Sequence, residues 1–249
     1  SMPPSTGLET RAEAWERFGV PGRWLFTCEH ASPRVPAPLR TTPSDRTWLR
    51  THWGYDIGAR TATRELVRVL GGAAVLARFS RLVIDANRPP EHPDLVRQHV
   101  EGVPLSFNQH LAEAEVLRRV LHYHRPYHDE IDAALGRARR VGTVVLVSVH
   151  SFTPIWNRRV RPMDVGVLFD RHEDRARSLA AHLAEPGLQV ALNEPYSGRE
   201  GLIYAADRHG RSHGVEHLEL ELNQGLLITP GRARRLARTI AGCLARTWG

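Results

Sequence analysis

The chain of 249 residues contains no lysine, and all 34 of its basic residues are arginine. Schiff-base chemistry on a lysine amine is therefore excluded, and so is a P-loop, whose lysine reaches the phosphates. Cysteine is nearly as scarce. Cys28 and Cys243 lie far apart without a Cys-x-x-Cys spacing, so the sequence offers neither a disulfide framework nor an all-cysteine zinc site, and two reduced thiols are expected. No apolar run approaches the roughly 18 to 20 residues that span a bilayer, and the N-terminus lacks a charged segment leading into an apolar one. A cytoplasmic protein with no membrane partner is expected. Ser1 ahead of Met2 reads as a cloning remnant and is set aside.

The formal charge of +7 would suit nucleic acid if it were gathered into a stripe. Instead the arginines are scattered, as in Arg137-Ala138-Arg139-Arg140 and Arg232-Ala233-Arg234-Arg235, and elsewhere they alternate with acids. Such a distribution reads as solvated helix faces and the codon bias of a GC-rich genome, so no nucleic-acid partner is expected. The oligomeric state is not legible.

With 41% hydrophobic residues, the chain can bury one large core, and one domain is expected over residues 16–249, preceded by a Pro-rich tail over 1–15. Apolar runs predict buried strands at Trp24–Cys28, Leu82–Asp85, Thr143–Val149 and Val165–Phe169. Helical periodicity predicts helices over Ile57–Leu70, about Asn108–Arg140, Glu173–Leu183 and Gly231 to the C-terminus. Asp56 sits where the first of these needs an N-cap, and Gly71-Gly72 where it needs a C-cap. The alternation implies a single α/β domain with a mixed, mostly parallel sheet flanked by helices. The stretch from Pro89 to Phe107 reads as irregular.

Ligands of open α/β sheets bind beyond the carboxyl ends of the strands, and the apolar runs here end in reactive side chains. Trp24–Cys28 leads into Glu29-His30, Leu82-Val83-Ile84 into Asp85-Ala86-Asn87-Arg88, and Val144–Val149 into His150-Ser151. His217, Glu219 and Glu221 alternate with leucines, which places all three on one strand face. Two strand-end histidines with a nearby carboxylate supply three zinc ligands and leave a fourth position for water, with a further Glu as general base. His30 and His150 stand out among the histidines on this ground. Cys28, beside them in sequence, reads as a small buried filler.

Taken together, the strings CEHAS, HWGYDIGA, SRLVIDANR, RPYH, SVHSFTP, RPMDVGVL, NEPYSG and HLELELNQ, in this order from about Trp24 to Leu227, resemble the N-formylglutamate amidohydrolase family, which is related to the zinc carboxypeptidases. The resemblance implies a phosphorylase/hydrolase-like, zinc carboxypeptidase-like fold. It further implies zinc held by His30 and His150, Glu221 as general base, and Asn87 and Arg88 as the grip on a substrate carboxylate. Ser151 becomes a further substrate contact, and Arg81 or His128 the group that stabilises the oxyanion. Carboxypeptidases take two ligands from His-x-x-Glu, whereas Pro33 stands three residues beyond His30. The third ligand must come from elsewhere, Asp56 before Glu29. The family often has Glu-Ile-Arg-x-Asp-Leu where this chain has Glu221-Leu222-Asn223-Gln224-Gly225-Leu226, which implies a substrate or supporting residues that differ from the common subgroup. The expected reaction is hydrolysis of an N-formyl or N-acyl amide on a small acidic molecule. A peptidase, deamidase or esterase on the same zinc, or a non-catalytic carboxylate-binding protein, are the alternatives.

Overall fold

The structure is a computed structural model and describes residues 9–249. The remnant expected at Ser1-Met2 lies outside the described residues. In chain order the strands are β1 (Thr10–Arg11), β2 (Trp15–Gly19), β3 (Trp24–Cys28), β4 (Ala73–Ala77), β5 (His99–Val100), β6 (Val103–Pro104), β7 (Val145–Phe152), β8 (Ile155–Trp156), β9 (Arg159–Val160), β10 (Val165–Leu168), β11 (Val190–Leu192) and β12 (Glu216–Asn223). The α-helices are α1 (Pro43–Leu49), α2 (Ala59–Leu70), α3 (Glu113–Arg119), α4 (Arg125–Val141), α5 (Glu173–Ala184), α6 (Tyr204–His213) and α7 (Pro230–Trp248). One mixed sheet runs β1-β2-β4-β3-β7-β12-β10-β11, with β4, β3, β7 and β12 mutually parallel at its centre. β1 and the first residue of β2 fall inside the segment read as a tail, because Thr10 and Arg11 pair with Arg17 and Glu16.

The central strands are buried on both faces, as their unbroken apolar runs predict. Phe26, Val147, Val149, Leu218, Leu220 and Leu222 enter a core shared with α2, α5 and α7, and Leu25 and Leu146 point the other way, toward α4. Along β7 and β12 that second face changes character. Ser148, His150, His217, Glu219 and Glu221 occupy it and are all buried. Parallel pairing sets Ser148 beside both Thr27 and Glu219, and His150 beside Glu221, so the polar ends of the strands are side by side.

Two local expectations fail. Leu82–Asp85 is not a strand, since its backbone is satisfied by a turn and by side chains. Val83 donates to Ser80 and Asp85 to Leu95, while Asn108 and Arg119 donate to the carbonyls of Leu82 and Val83. The sheet position goes to Ala73–Ala77 instead. Asp56 also does not cap α2. Gly58 is the N-cap, with φ 80°, and the Asp56 side chain turns inward. At the other end Gly71 caps as expected, and at Gly72, φ +80°, a Cβ would come 2.2 Å from the Trp24 carbonyl oxygen. Only glycine fits there. Between α3 and α4 the helix continues through a π-type turn over Val120–His124, a widening placed just before Pro126, which has no N–H to give and whose ring crowds the turn before it. No helix among the described residues is long and apolar enough to cross a membrane.

Arg119 ties this face together. Its side chain is 0% exposed, and it donates to the Val83 carbonyl at 3.0 Å, the Phe107 carbonyl at 2.6 Å and Glu115 at 3.1 Å, as well as to Asn108. Arg119→Met keeps the bulk and leaves those buried acceptors unpaired, so urea unfolding should show a loss of about 3 to 5 kcal/mol. A loss below about 1 kcal/mol would mean that the loop before Asn87 holds itself.

Candidate functional site

A cleft of about 280 Å³ opens at the carboxyl ends of β3, β7 and β12, and His30, Asp56, Arg81, Asp85, Asn87, Arg88, His150, Ser151, Glu219 and Glu221 line it. A larger hollow of about 730 Å³, between α3 and α6, is lined mainly by residues such as Val116, Val120 and Tyr204. Among the described residues, that hollow brings no group of histidines and carboxylates together.

The centre of the cleft follows from how the backbone turns after β3. The Asp56 N–H donates to the His30 carbonyl at 2.8 Å, which draws the loop before α2 over the strand end. Asp56 Oδ2 then lies 2.9 Å from His150 Nδ1 and 3.5 Å from His30 Nδ1, and the two imidazole rings meet edge to face with centroids 4.9 Å apart. His30 Nδ1 is buried with no hydrogen-bond partner. Both opposite nitrogens are held by carboxylates: His30 Nε2 lies 2.6 Å from Asp85, and His150 Nε2 lies 2.9 Å from Glu29 and 3.2 Å from Glu219. Two imidazoles and a carboxylate that converge on one point, each ring fixed by an acid behind it, form a donor set that could hold a metal ion.

A second trio, Glu29, His150 and Glu219, is equally close-set, but Glu29 is 0% exposed and already accepts from Tyr127 and Ser148. Glu29 thus orients His150 from behind, and of the two carboxylates weighed as third ligand, Asp56 is the one that faces His30.

The charges follow the same layout. Burial opposes ionisation of Glu29, yet His150, Ser148 and Tyr127 hold it at about 2. Asp85 is likewise held well below the usual carboxylate range, with His30 and Arg81 outweighing burial. Burial would lower His150, but Glu219, Asp56 and Glu29 keep it well above its ordinary value. Glu221 has no such partner. Burial, with Asp56 nearby, pushes it up to about 8 against the pull of His150, and its Oε2 is buried without a hydrogen bond.

The remaining expected residues divide. Arg81 lines the cleft between Asp56 and Asp85, at 3.5 and 3.4 Å. Arg88 lines the cleft as well, with Nε 3.2 Å from Asp85 and Nη1 against the His92 ring. Asn87 is engaged at both ends of its amide, donating to Glu219 at 3.2 Å and accepting from the Ala205 N–H at 3.0 Å. Ser151 donates to the Ile57 carbonyl at 2.8 Å and accepts from Gln224. Asn87 and Ser151 therefore brace the walls. His128 does not line the cleft. It is fully buried behind it, hydrogen-bonded to the Ala86 carbonyl and His209, and burial, with His124 and His209 beside it, keeps it well below its ordinary value. It cannot reach an oxyanion in the cleft.

Sequence reasoning did not single out His52, Trp53, Arg97 or Trp156, which also line the cleft, with Arg97 5.0 Å over the Trp53 ring. They come from irregular segments and a short hairpin, where no periodicity marks them.

Comparison with known proteins identifies the family and the fold. Residues 22–228, from the start of β3 to beyond β12, match the family model described as N-formylglutamate amidohydrolase. Two solved structures share the fold. The gene product Atu2144 from Agrobacterium tumefaciens is 28% identical, with a TM-score of 0.87 over 95% of each chain. The N-formylglutamate amidohydrolase from Ralstonia eutropha JMP134 is 22% identical, with a TM-score of 0.73 over 95% of this chain and 98% of its own. No curated protein sequence matches. Since the matched span takes in every strand end that contributes to the cleft, the chain belongs to the N-formylglutamate amidohydrolase family of amide-cleaving hydrolases.

Proposed function

We propose that the cleft hydrolyses an N-formyl or N-acyl amide of a small acidic amino acid or related molecule, with a zinc ion held by His30 Nδ1, His150 Nδ1 and Asp56. The observation that carries this reading is the buried, unpartnered Nδ1 of His30. A buried imidazole nitrogen without a partner is costly, and here it points at the same carboxylate as His150 Nδ1. The opposite edges of both rings are fixed by Asp85 and by Glu29 with Glu219. When bound, zinc supplies the positive charge that acidifies a water, polarises the amide carbonyl and offsets the raised pKa of Glu221.

The other steps belong to the protein. Glu221, pushed up by burial to about 8 and brought down toward neutrality by the charge of a bound ion, accepts the proton of the attacking water and passes it to the leaving amine. Arg81, at the cleft wall and tethered by Asp56 and Asp85, donates to the oxygen that gains charge as the carbonyl is attacked. Arg88 faces the substrate carboxylate, and its pairing with Asp85 fixes the guanidinium plane. The volume of about 280 Å³ fits an amino-acid-sized ligand and stands at the small end of ligand pockets.

Release of the acid from N-formyl and N-acetyl glutamate and aspartate, followed before and after chelation, tests the reading directly. Turnover that stops on chelation and returns with zinc is expected, and turnover indifferent to chelator would contradict it. Glu221→Gln should keep the metal while kcat falls by about two to four orders of magnitude. Loss of metal in that variant would make Glu221 a ligand instead.

Arg88→Lys retains charge but not the two-pronged fit to a carboxylate. Preference for acidic substrates over their carboxamide analogues should fall by about 1.5 to 3 kcal/mol in kcat/KM. An unchanged preference with lowered stability would reduce Arg88 to a partner of Asp85.

A further inference from the structure

Behind the cleft, α4 and α6 face each other with two residues each at one-turn spacing, His128 and Asp132 on α4 and His209 and His213 on α6. Hydrogen-bond bookkeeping along this row fixes the protons. His128 Nε2 lies 2.8 Å from the Ala86 carbonyl oxygen, which can only accept, so Nε2 carries hydrogen. His128 is 0% exposed and its two nitrogens meet only that carbonyl and His209, so a second proton would be a buried charge with no acid to balance it. Its Nδ1 therefore accepts. The group 2.8 Å away is His209 Nε2, which must donate.

This leaves His209 Nδ1 with a lone pair when the ring is neutral, yet Nδ1 faces Asp132 Oδ1 at 2.8 Å. His213 Nε2 approaches the same oxygen at 2.9 Å. A lone pair and a carboxylate oxygen repel at that distance, so a cation belongs between them. A proton on His209 would suffice for that pair alone. The third group argues for more: two imidazole nitrogens and a carboxylate oxygen, all within 4.8 Å of one another, match the ligand set and number that zinc-like ions take from proteins.

We infer that Asp132, His209 and His213 form a second metal site, separate from the cleft, for a divalent ion of the zinc class. His209 is held in the binding tautomer by His128, as metal-bound histidines usually are by the partner of their other nitrogen. Asp132 is 41% exposed, so the fourth position opens to water. The ion bridges α4 and α6, and the relay of His209 and His128 ends on the Ala86 carbonyl.

Titration of chelator-stripped protein with zinc alone near neutral pH, by calorimetry, tests the site in the wild type, His213→Ala and Asp132→Asn, with circular dichroism to confirm folding. Both substituted positions have solvent access, and Asp132→Asn preserves shape. The wild type should bind one equivalent more than either variant. Alternatively, that equivalent should weaken in the variants by at least the roughly 10- to 100-fold that loss of a mere supporting partner costs. Amide turnover should not change. Because the count is a difference between proteins, it is independent of whether the cleft itself holds zinc. Equal stoichiometry and affinity in all three proteins would overturn the inference, as would a wild type that binds no zinc outside the cleft, which would leave a protonated His209 as the cation.

Discussion

The Asp56 carboxylate lies between the His30 and His150 rings, and the surrounding structure is arranged to keep it there. A buried ion is costly unless it is paired and hydrogen-bonded. Asp56 meets this requirement with His150, Arg81 and the Ser151 N–H. Its own N–H is fixed to the His30 carbonyl, which ties the loop before α2 to the end of β3. Asp85 and Glu29, which stand behind the two histidines, are held charged by their neighbours. The result is a nest of alternating charges with one imidazole nitrogen left open.

That arrangement rests on strand register. β3, β7 and β12 run parallel, and the pairings of Thr27 with Ser148, Ser148 with Glu219 and His150 with Glu221 bring the ends of three separate sequence segments to one level. A slip of one residue would exchange the polar face for the leucine face. The core under α2, α5 and α7, into which Leu218, Leu220 and Leu222 pack, opposes such a slip. Stability and chemistry are thus divided between the two faces of the same strands.

Much of this was legible in the chain. The run Trp24–Cys28 is the observed strand residue for residue, and the alternation of Leu218, Leu220 and Leu222 with His217, Glu219 and Glu221 gives the correct face. His30, His150 and Asp56 converge as the resemblance to the family implied. The losses occur where tertiary context overrides local pattern. Leu82–Asp85 has the composition of a strand, but its carbonyls are taken by Asn108 and Arg119 from distant segments. Ala73–Ala77 has the small residues of a helix yet completes the sheet. Asn87 and Ser151 follow strand-like runs and were expected to contact the substrate, and His128, at a helix start, was one of two residues expected to face the oxyanion. Sequence cannot show that their hydrogen bonds are already spent on Glu219, Ile57 and Ala86.

Diffraction at the zinc absorption edge from zinc-loaded crystals measures directly which atoms bind the proposed ion. The expected anomalous peak lies about 2.0 to 2.2 Å from His30 Nδ1, His150 Nδ1 and an Asp56 oxygen, with Asp85 and Glu29 still on the far nitrogens. A peak on His150 Nε2 between Glu29 and Glu219, or a zinc-loaded active crystal with no peak in the cleft, would contradict this assignment.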